Sequence, residues 1–310
     1  MADDARSRSA GRPHLPPILR PHLEASLQAA GAAPLKRHGQ NFLLDHNLLA
    51  AIVRDAEVQP GDEVLEIGPG PGLLTRHLLD VGAFVRAIEI DAAMEQVASD
   101  LVEPHLREGG RLRWVHGDAL AGSRRLSPAL LALLPGTLRL VANLPYGVAA
   151  PLLMALARES DAPPLQVVMI QKELAERLSA GPGGRDYGPL AVIAALTCRV
   201  QTVRKVPPGA FWPVPKVQSV VLRLERAPAW PGKEALERLE IFLGLAFRSR
   251  RKTLLNSVAE GADLRASEVQ AALELKENDQ KKRAEAFEAL QLERLARKWA
   301  DHAPGERPRP

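Results

Sequence analysis

Apolar positions along the chain change their spacing in a regular way from about residue 47. Short apolar runs, at 63–67 and 84–90, alternate with segments in which apolar residues recur with the period of a helix, at 48–57 and 73–81. The same two patterns predict further strands and helices at 94–106, 112–116, 138–142, 150–158 and 165–170. Strands and helices in alternation, with short connections, predict an α/β fold, a doubly wound sheet with helices on both faces.

The pattern changes after this sheet. A helix from 172, a loop at 181–188 and a helix at 191–197 precede two β-rich runs, 199–206 and 216–224. Apolar and mostly polar residues alternate at the end of the second run, which is typical of a half-buried antiparallel strand. Only helical patterns follow.

The division of the chain follows from these patterns. Residues 1–33 are rich in Pro, Arg and Ala without a sustained period, so we expect a mostly disordered extension, with a short helix near 23–30, that carries none of the chemistry. We expect a sheet-containing domain over 34–225, a smaller all-helical C-terminal domain over 226–302 and a tail over 303–310.

Composition excludes several classes of protein. The longest apolar stretches, such as 128–135 and 191–198, are far shorter than the roughly 20 residues that a membrane-spanning helix needs. No secretory signal is evident, so we expect a cytoplasmic protein without a membrane segment. We also expect the protein to act as a monomer. Cys198 is the only cysteine, which excludes an intrachain disulfide and zinc sites built on cysteine pairs. The eight histidines form no His-Glu-x-x-His pattern, so we expect no metal site.

Basic residues are clustered more than they are in excess. The chain has 41 Lys and Arg against 37 Asp and Glu, a net charge of +4, which permits a polyanionic partner without requiring one. Arg248, Arg250, Arg251 and Lys252 form one cluster, and residues 281–283 form a second. Nucleic-acid contacts and a solvated helix face are both compatible with these clusters.

A glycine-rich turn follows the first predicted strand of the sheet. Gly68, Gly70 and Gly72 alternate with two prolines and lead into a helix. Such glycines let the backbone come close to a ligand at a helix N-terminus, which predicts a nucleotide-like cofactor. Pro69 and Pro71 remove amide donors that a pyrophosphate would need. The turn therefore favours a cofactor without phosphates over NAD.

Two carboxylates follow at the ends of the next two strands. Glu89 stands where it can accept hydrogen bonds from both hydroxyls of a ribose, and Asp118 stands where an adenine amino group would lie. Together with Gly68, these residues describe an adenosine with an unmodified ribose and no phosphate. We therefore predict a Rossmann-like methyltransferase domain that binds S-adenosylmethionine (SAM).

The fourth strand ends in Asn143-Leu144-Pro145-Tyr146. The N6 amine of adenine is a poor nucleophile until other groups accept its hydrogens. The side-chain carbonyl of Asn143 can accept one hydrogen and the backbone carbonyl of Leu144 the other, while Pro145 restrains Leu144 to an extended conformation. Tyr146 offers a stacking face to the extruded base, worth roughly 1–3 kcal/mol. Phe211 is predicted to stack on the other face, a hydrophobic plug being the alternative.

These motifs together resemble the KsgA/RsmA family of ribosomal RNA adenine dimethyltransferases, which are relatives of the Erm resistance methyltransferases. The resemblance extends from about residue 36 to about residue 258. It is carried by Gly39-Gln40-Asn41-Phe42-Leu43, Glu66-Ile67-Gly68-Pro69-Gly70, Glu89-Ile90-Asp91, Gly117-Asp118-Ala119-Leu120, Asn143-Leu144-Pro145-Tyr146, Gln171-Lys172-Glu173, Tyr187-Gly188, Val206-Pro207-Pro208 and Arg250-Arg251-Lys252-Thr253-Leu254.

The resemblance implies a reaction, a partner and a site. The substrate would be two adjacent adenines near the 3′ end of small-subunit (16S) rRNA in the 30S particle, each receiving two methyl groups, with a role in small-subunit biogenesis. The helical domain would dock on this rRNA through its basic stretch. The implied SAM-binding residues are Asn41, Leu43, Gly68, Glu89, Asp118 and Asn143.

The chain also departs from the family pattern. Residues 147–150 replace a more polar run after Tyr146, which we expect to alter the order of the local loop and not the chemistry. The extension 1–33 is foreign to the core pattern.

Four other functions share some of these features. An Erm-like enzyme acting on large-subunit rRNA would share every catalytic residue, although the motifs around Tyr187 and Arg251 favour the small subunit. DNA N6-adenine methylation shares the chemistry, but no separate sequence-reading domain is evident. An assembly factor with secondary catalysis is a different class, which substitution of Glu66 or Asn143 would distinguish. A metal-dependent hydrolase is least favoured.

Overall fold

The computed structural model describes residues 16–34, 40–106 and 110–302, so residues 1–15 of the predicted extension and the predicted tail 303–310 lie outside the described residues. The strands of the described chain are β1 (Phe42–Leu43), β2 (Glu63–Ile67), β3 (Phe84–Glu89), β4 (Leu112–His116), β5 (Arg139–Asn143), β6 (Leu165–Gln171), β7 (Cys198–Val206), β8 (Phe211–Trp212) and β9 (Ser219–Arg226). Its α-helices are α1 (Arg20–Ala29), α2 (His46–Asp55), α3 (Leu73–Asp80), α4 (Ala92–Leu106), α5 (Pro128–Leu131), α6 (Ala149–Ala157), α7 (Lys172–Leu178), α8 (Pro189–Thr197), α9 (Lys233–Ala246), α10 (Leu254–Ala262), α11 (Ala266–Leu273), α12 (Glu277–Gln280) and α13 (Ala289–His302).

Seven strands form one sheet in the order β4-β3-β2-β5-β6-β9-β7. The first five run parallel, β9 is antiparallel to β6, and β7 is antiparallel to β9. Strands β1 and β8 form a separate two-stranded ribbon. The chain passes from β2 to β3 on one side, whereas β5 lies on the other side of β2, so the direction of winding reverses beside β2. The predicted doubly wound α/β fold is confirmed.

Both faces of the sheet are apolar because helices cover each of them. Successive strand residues point to opposite faces, so Leu65 and Ile67 enter one core and Val64 enters the other. Helices α5, α6 and α7 pack on the first face, and α1 to α4 pack on the second. Each fully buried leucine in these cores stabilises the fold by about 1.5–3 kcal/mol. The strand ends, where the polar residues lie, are thereby held in fixed positions.

Helix α8 is shared between two cores. Leu190 and Ala194 pack against the sheet core, whereas Val192 and Ile193 pack with α9, α10, α11 and α13. An apolar helix of this kind is largely buried, although Ala195 is exposed. Strand β9 ends at Arg226, and the described residues beyond it contain helices and turns only. The division into two domains at 226 stays a prediction.

The extension is folded where the structure describes it. The prediction of disorder over 1–33 is wrong for 16–33, because α1 packs on the sheet domain, with Leu23 and Leu27 buried in the core that contains α2 to α4. These two leucines are four positions apart and therefore lie on one face of the helix. The short helix predicted near 23–30 is confirmed. None of the described helices combines the length and apolar character that crossing a membrane would require.

Candidate active site

A cleft opens at the carboxyl ends of β2, β3 and β5. This is the point where the winding of the sheet reverses, and ligands of doubly wound sheets bind there. The cleft is lined by Gln40, Asn41, Phe42, Leu43, Leu49, Glu66, Gly68, Pro69, Gly70, Leu73, Leu74, Glu89, Ile90, Asn143, Leu144, Pro145 and Tyr146. The fold thus brings together most of the residues that the sequence singled out.

The glycine turn after β2 needs glycine for two separate reasons. Gly68, Gly70 and Gly72 have φ angles of 68°, 54° and 79°, in the left-handed region that side chains disfavour. A Cβ atom on Gly68 would also lie 3.2 Å from Cδ of Pro145. The turn after β2 therefore packs directly against the motif after β5, with no side chain between them.

Glu89 is buried at the end of β3 and is held by the backbone. Its Oε2 accepts a hydrogen bond from the Gly70 N–H (2.9 Å), and its Oε1 accepts one from the Asp91 N–H (2.9 Å). Burial raises the pKa of Glu89, whereas these hydrogen bonds act to lower it. Each carboxylate oxygen can accept a further hydrogen bond, as the predicted ribose contact requires.

Asp118 lies beside this site and not within it. It follows β4 and is exposed, its Oδ1 accepts a hydrogen bond from the Leu120 N–H (2.9 Å), and it is not among the residues that line the cleft. The turn that carries it is joined to β3, because the Gly117 N–H donates to the carbonyl of Glu89 (2.8 Å). Its contact with an adenine amino group stays a prediction.

Glu66 lines the cleft but was not among the predicted site residues. It is 1% exposed, and the Thr75 hydroxyl donates to its Oε2 (2.7 Å). Burial, and to a lesser extent the charge of Glu89, raises its pKa to about 8. Its signal in the sequence was a carboxyl group inside an apolar strand, where an ionised side chain is costly.

Asn143 is oriented by the opposite wall of the cleft. Its Nδ2 donates a hydrogen bond to the backbone carbonyl of Asn41 (3.3 Å). The side-chain amide is therefore fixed with its nitrogen toward Asn41, which leaves the carbonyl oxygen as the acceptor for a ligand. Leu144 is held in turn by its N–H, which donates to the carbonyl of Met169 (3.1 Å).

Tyr146 is half-buried at the same wall. Its hydroxyl is hydrogen-bonded to the Ser219 hydroxyl at 2.8 Å, at the start of β9, and burial raises its pKa. The ring is therefore anchored at its polar end to a strand of the sheet.

The segment before α2 closes the cleft. Gln40 Nε2 donates to Asp91 Oδ2 (2.9 Å), and β1 pairs with β8 so that Leu43 lies opposite Phe211. Phe211 is 3% exposed and packs in the sheet core with Leu43. The pairing of β8 with β1 buries the ring in this structure, as the alternative of a hydrophobic plug expects. The stacking of Phe211 on a base stays a prediction.

The predicted RNA-binding residues lie in a turn. Helix α9 ends at Ala246 and α10 begins at Leu254, with the Thr253 side chain accepting the hydrogen bond that caps α10. We call residues 248–252 the basic turn. Arg248, Arg250, Arg251 and Lys252 are all exposed, and they lie in a turn and not on a helix face. Their contact with nucleic acid stays a prediction.

The basic turn adjoins other cations. The Leu254 N–H donates to the carbonyl of Lys282 (2.9 Å), and Arg250 Nη1 donates to the carbonyl of Arg185 (3.0 Å). Residues 185 and 281–283 are exposed and basic. We call the basic turn together with Arg185 and residues 281–283 the basic surface. It joins three segments that are distant in sequence.

Relatives of known name cover most of the chain. The family model of ribosomal RNA adenine dimethylase matches residues 34–293. The ribosomal RNA small subunit methyltransferase A of Phenylobacterium zucineum is 43% identical over 240 residues, 77% of this chain and 80% of the relative. The protein of the same name from Leifsonia xyli subsp. xyli is 42% identical over 231 residues, 74% of this chain and 80% of the relative.

Solved structures agree with this assignment. A dimethyladenosine transferase from Plasmodium falciparum has a TM-score of 0.65 and 26% identity, over 83% of this chain and 96% of that one. The 23S rRNA methyltransferase ErmE has a TM-score of 0.56 and 26% identity, over 84% and 99%. The resemblance inferred from the motifs is confirmed, and the chain belongs to the ribosomal RNA adenine dimethylase family.

Proposed function

We propose that this protein dimethylates the N6 atoms of two adjacent adenosines near the 3′ end of small-subunit rRNA in the cytoplasm, with SAM as methyl donor. One arrangement carries the proposal. The Asn143 amide and the Leu144 backbone lie in the same cleft as the glycine turn after β2, so an acceptor for amine hydrogens adjoins a site for an adenosine-like cofactor.

The cleft fits SAM, the methyl donor of this family. Glu66 and Glu89 line it, and Glu89, whose ionised form is favoured by two backbone hydrogen bonds, would repel a pyrophosphate. The prolines at 69 and 71 leave the turn without two of the amide donors that phosphates use. Glu89, Gly68, Asn41 and Leu43 would hold the cofactor. SAM supplies a methyl group activated by its attachment to a positively charged sulfur.

Asn143 and Leu144 would prepare the target amine. The carbonyl oxygen of Asn143 accepts a hydrogen bond from one N6–H, and the backbone carbonyl of Leu144 accepts one from the other. These two hydrogen bonds concentrate the lone pair on the nitrogen. Pro145 keeps Leu144 extended, and the packing of Pro145 against Gly68 fixes the distance between the two halves of the site. Fixed positioning of this kind supplies much of the rate of a group transfer.

Two methyl groups on one nitrogen are compatible with this geometry. Monomethyladenine still has one N6–H group, and either carbonyl can accept a hydrogen bond from it. The nitrogen becomes cationic as it gains each methyl group and then releases its proton to solvent, so neither round needs a strong general base. Tyr146 can stack on the base in both rounds. Its anchored hydroxyl keeps the ring in place when the base is extruded.

The small subunit is favoured over the large one. Relatives named for the small subunit share 43% and 42% identity with this chain, whereas ErmE, named for 23S rRNA, shares 26%. The basic surface offers cations to RNA phosphates at a distance from the sheet, as the contact predicted for the helical region requires.

The experiment is a transfer assay with labelled SAM and undermethylated small subunits. The wild type is expected to yield labelled N6,N6-dimethyladenosine, and Asn143→Ala at least about a hundredfold less, the loss typical of removing a group that stabilises the reacting centre. Asn47→Ala, an exposed asparagine on α2, is the matched control and should act like the wild type. No label on small subunits, with label on large-subunit rRNA, would transfer the assignment to the Erm-like reaction. No label on either would leave an assembly role as the function to test.

A further inference from the structure

The loop between β8 and β9 is fixed at both ends to walls of the active-site cleft. We call residues 213–218 the rim loop. Before it, Trp212 pairs with Phe42, a residue that lines the cleft. After it, Ser219 is hydrogen-bonded to Tyr146, on which the target base is proposed to stack.

A further contact places the rim loop at the edge of the sheet where the cleft opens. The carbonyl of Gln218 accepts a hydrogen bond from the N–H of Lys172 (2.9 Å), the residue that follows β6. Strand β6 is parallel to β5, so its end lies at the same edge of the sheet as Asn143. The rim loop therefore borders the side of the cleft that contains Tyr146.

The rim loop exposes apolar side chains that have no structural use in the fold. Val214 is 64% exposed and Val217 is 41% exposed, whereas Pro215 between them is buried and anchors the loop. Single exposed apolar residues are ordinary on protein surfaces. Two within six residues, beside the place where a base enters, form an apolar surface next to a binding site.

Charge on the same surface indicates the kind of partner. Lys216 lies between the two valines and is exposed, and Lys172 is exposed beside the loop. An apolar surface flanked by cations matches a nucleotide, which has an apolar base face and an anionic phosphate.

We propose that the rim loop binds the nucleotide adjacent to the target adenosine, with Val214 and Val217 against its base and Lys216 at its phosphate. The inference rests on the proposed function. Extruding the target adenosine removes a stacking neighbour from the next base, and the rim loop supplies an apolar contact in its place. Because the two substrate adenosines are adjacent, this contact holds one while the other is methylated.

The test compares Val214→Ser/Val217→Ser with Leu138→Ser. Leu138 is 49% exposed and precedes β5, so it lies at the opposite edge of the sheet from the cleft. The double variant is expected to raise the Kd for undermethylated small subunits about tenfold, which corresponds to about 1.4 kcal/mol. Its Kd for SAM and its Tm should equal those of the wild type, and Leu138→Ser should change none of the three.

Salt dependence separates the apolar contact from the charged one. Lys216→Ala should reduce the slope of log Kd against log salt by about one phosphate contact, whereas the double valine variant should leave the slope unchanged. An unchanged Kd for subunits in the double variant, or an equal rise in Leu138→Ser, overturns the inference while wild-type methylation upholds the proposed function. A lower Tm or weaker SAM binding in the double variant assigns the valines to packing and also overturns it. A wild type that methylates no small subunit overturns the proposed function, and this inference with it.

Discussion

At the scale of the residue, the cleft contains two buried carboxyl groups with different hydrogen-bond partners. Glu89 accepts hydrogen bonds from two backbone N–H groups, which favour its ionised form. Glu66 accepts one hydrogen bond, from the Thr75 hydroxyl. Burial raises the pKa of Glu66 to about 8, so near neutral pH its carboxyl group is mostly protonated. The cleft therefore combines a neutral carboxyl group with a second one that is held for accepting hydrogen bonds.

This difference predicts how stability depends on pH. Between the ordinary carboxyl pKa of 4.5 and about 8, the folded state binds a proton at Glu66 that the unfolded state has lost, so the free energy of unfolding falls as pH rises, by at most about 1.4 kcal/mol per pH unit. Glu66→Gln cannot ionise and should be more stable than the wild type at pH 8.5, with little difference at pH 4.5. Urea unfolding of the protein without SAM, at pH 4.5, 6.5 and 8.5, measures this.

The control for this prediction is Glu237→Gln, which changes an exposed carboxyl group on α9. It should follow the wild type at every pH. If the curves of wild type and Glu66→Gln stay parallel from pH 4.5 to 8.5, Glu66 is ionised in the folded protein and the prediction is wrong.

Residues of the site differ in how well the sequence predicts them. Gly68 follows β2, and Glu89 and Asn143 end β3 and β5. The carboxyl ends of parallel strands meet at one edge of a sheet, so spacing along the chain predicts that these residues lie close together. Glu66 was given no role in cofactor binding because its position inside the strand gives no turn signal. The burial of Phe211 could not be predicted, because its partner in space, Leu43, is remote in sequence.

At the scale of the element, hydrophobic periodicity predicts only those helices and strands that are long enough to show a repeating pattern. Strands β2 and β4 have the predicted bounds, and the other predicted strands and helices of the sheet domain differ from the observed ones by at most three residues at either end. Strands β1 and β8 have two residues each, too few for any period, and pair across the chain. The sequence allowed a helix over the basic turn, because a run of charged residues has no hydrophobic period that would separate a helix from a turn.

Helix α1 gives the clearest prediction at this scale. Leu23 and Leu27 are buried in the core that also contains Phe42 and Leu43 of the cleft wall. Leu23→Ala should lower the free energy of unfolding by about 2–5 kcal/mol, the usual cost of a large-to-small change in a core, and should weaken SAM binding because the wall loses support. Chemical denaturation and SAM titration measure the two effects.

The control on the same segment is Leu19→Ala, since Leu19 is exposed at the start of α1. It should change stability by less than about 0.5 kcal/mol. Equal behaviour of the two variants would mean that α1 does not pack as described.

At the scale of the whole molecule, the active-site cleft and the basic surface belong to different parts of the fold. The cleft lies at the strand ends of the sheet, whereas the basic surface combines the turn between α9 and α10 with residues 185 and 281–283. A net charge of +4 is too small for the whole molecule to attract RNA strongly, so these clustered cations must supply most of the electrostatic attraction. Binding and chemistry should therefore respond separately to substitution.

Salt dependence tests this separation. Cations that contact phosphates release counterions, so affinity for small subunits should fall steeply as salt rises, while affinity for SAM changes little. Arg251→Ala should weaken subunit binding and reduce the slope by about one contact, and Lys252→Ala should do less, because Lys252 already forms a salt bridge with Glu260 (2.8 Å). Arg113→Ala, on the edge strand β4, is the control for loss of an exposed arginine.

Because the cleft is untouched, Arg251→Ala should keep the wild-type kcat at saturating subunits. A flat salt response of the wild type would exclude phosphate contacts as the source of affinity, and an equal effect of Arg113→Ala would mean that net charge, and not the basic surface, attracts the RNA.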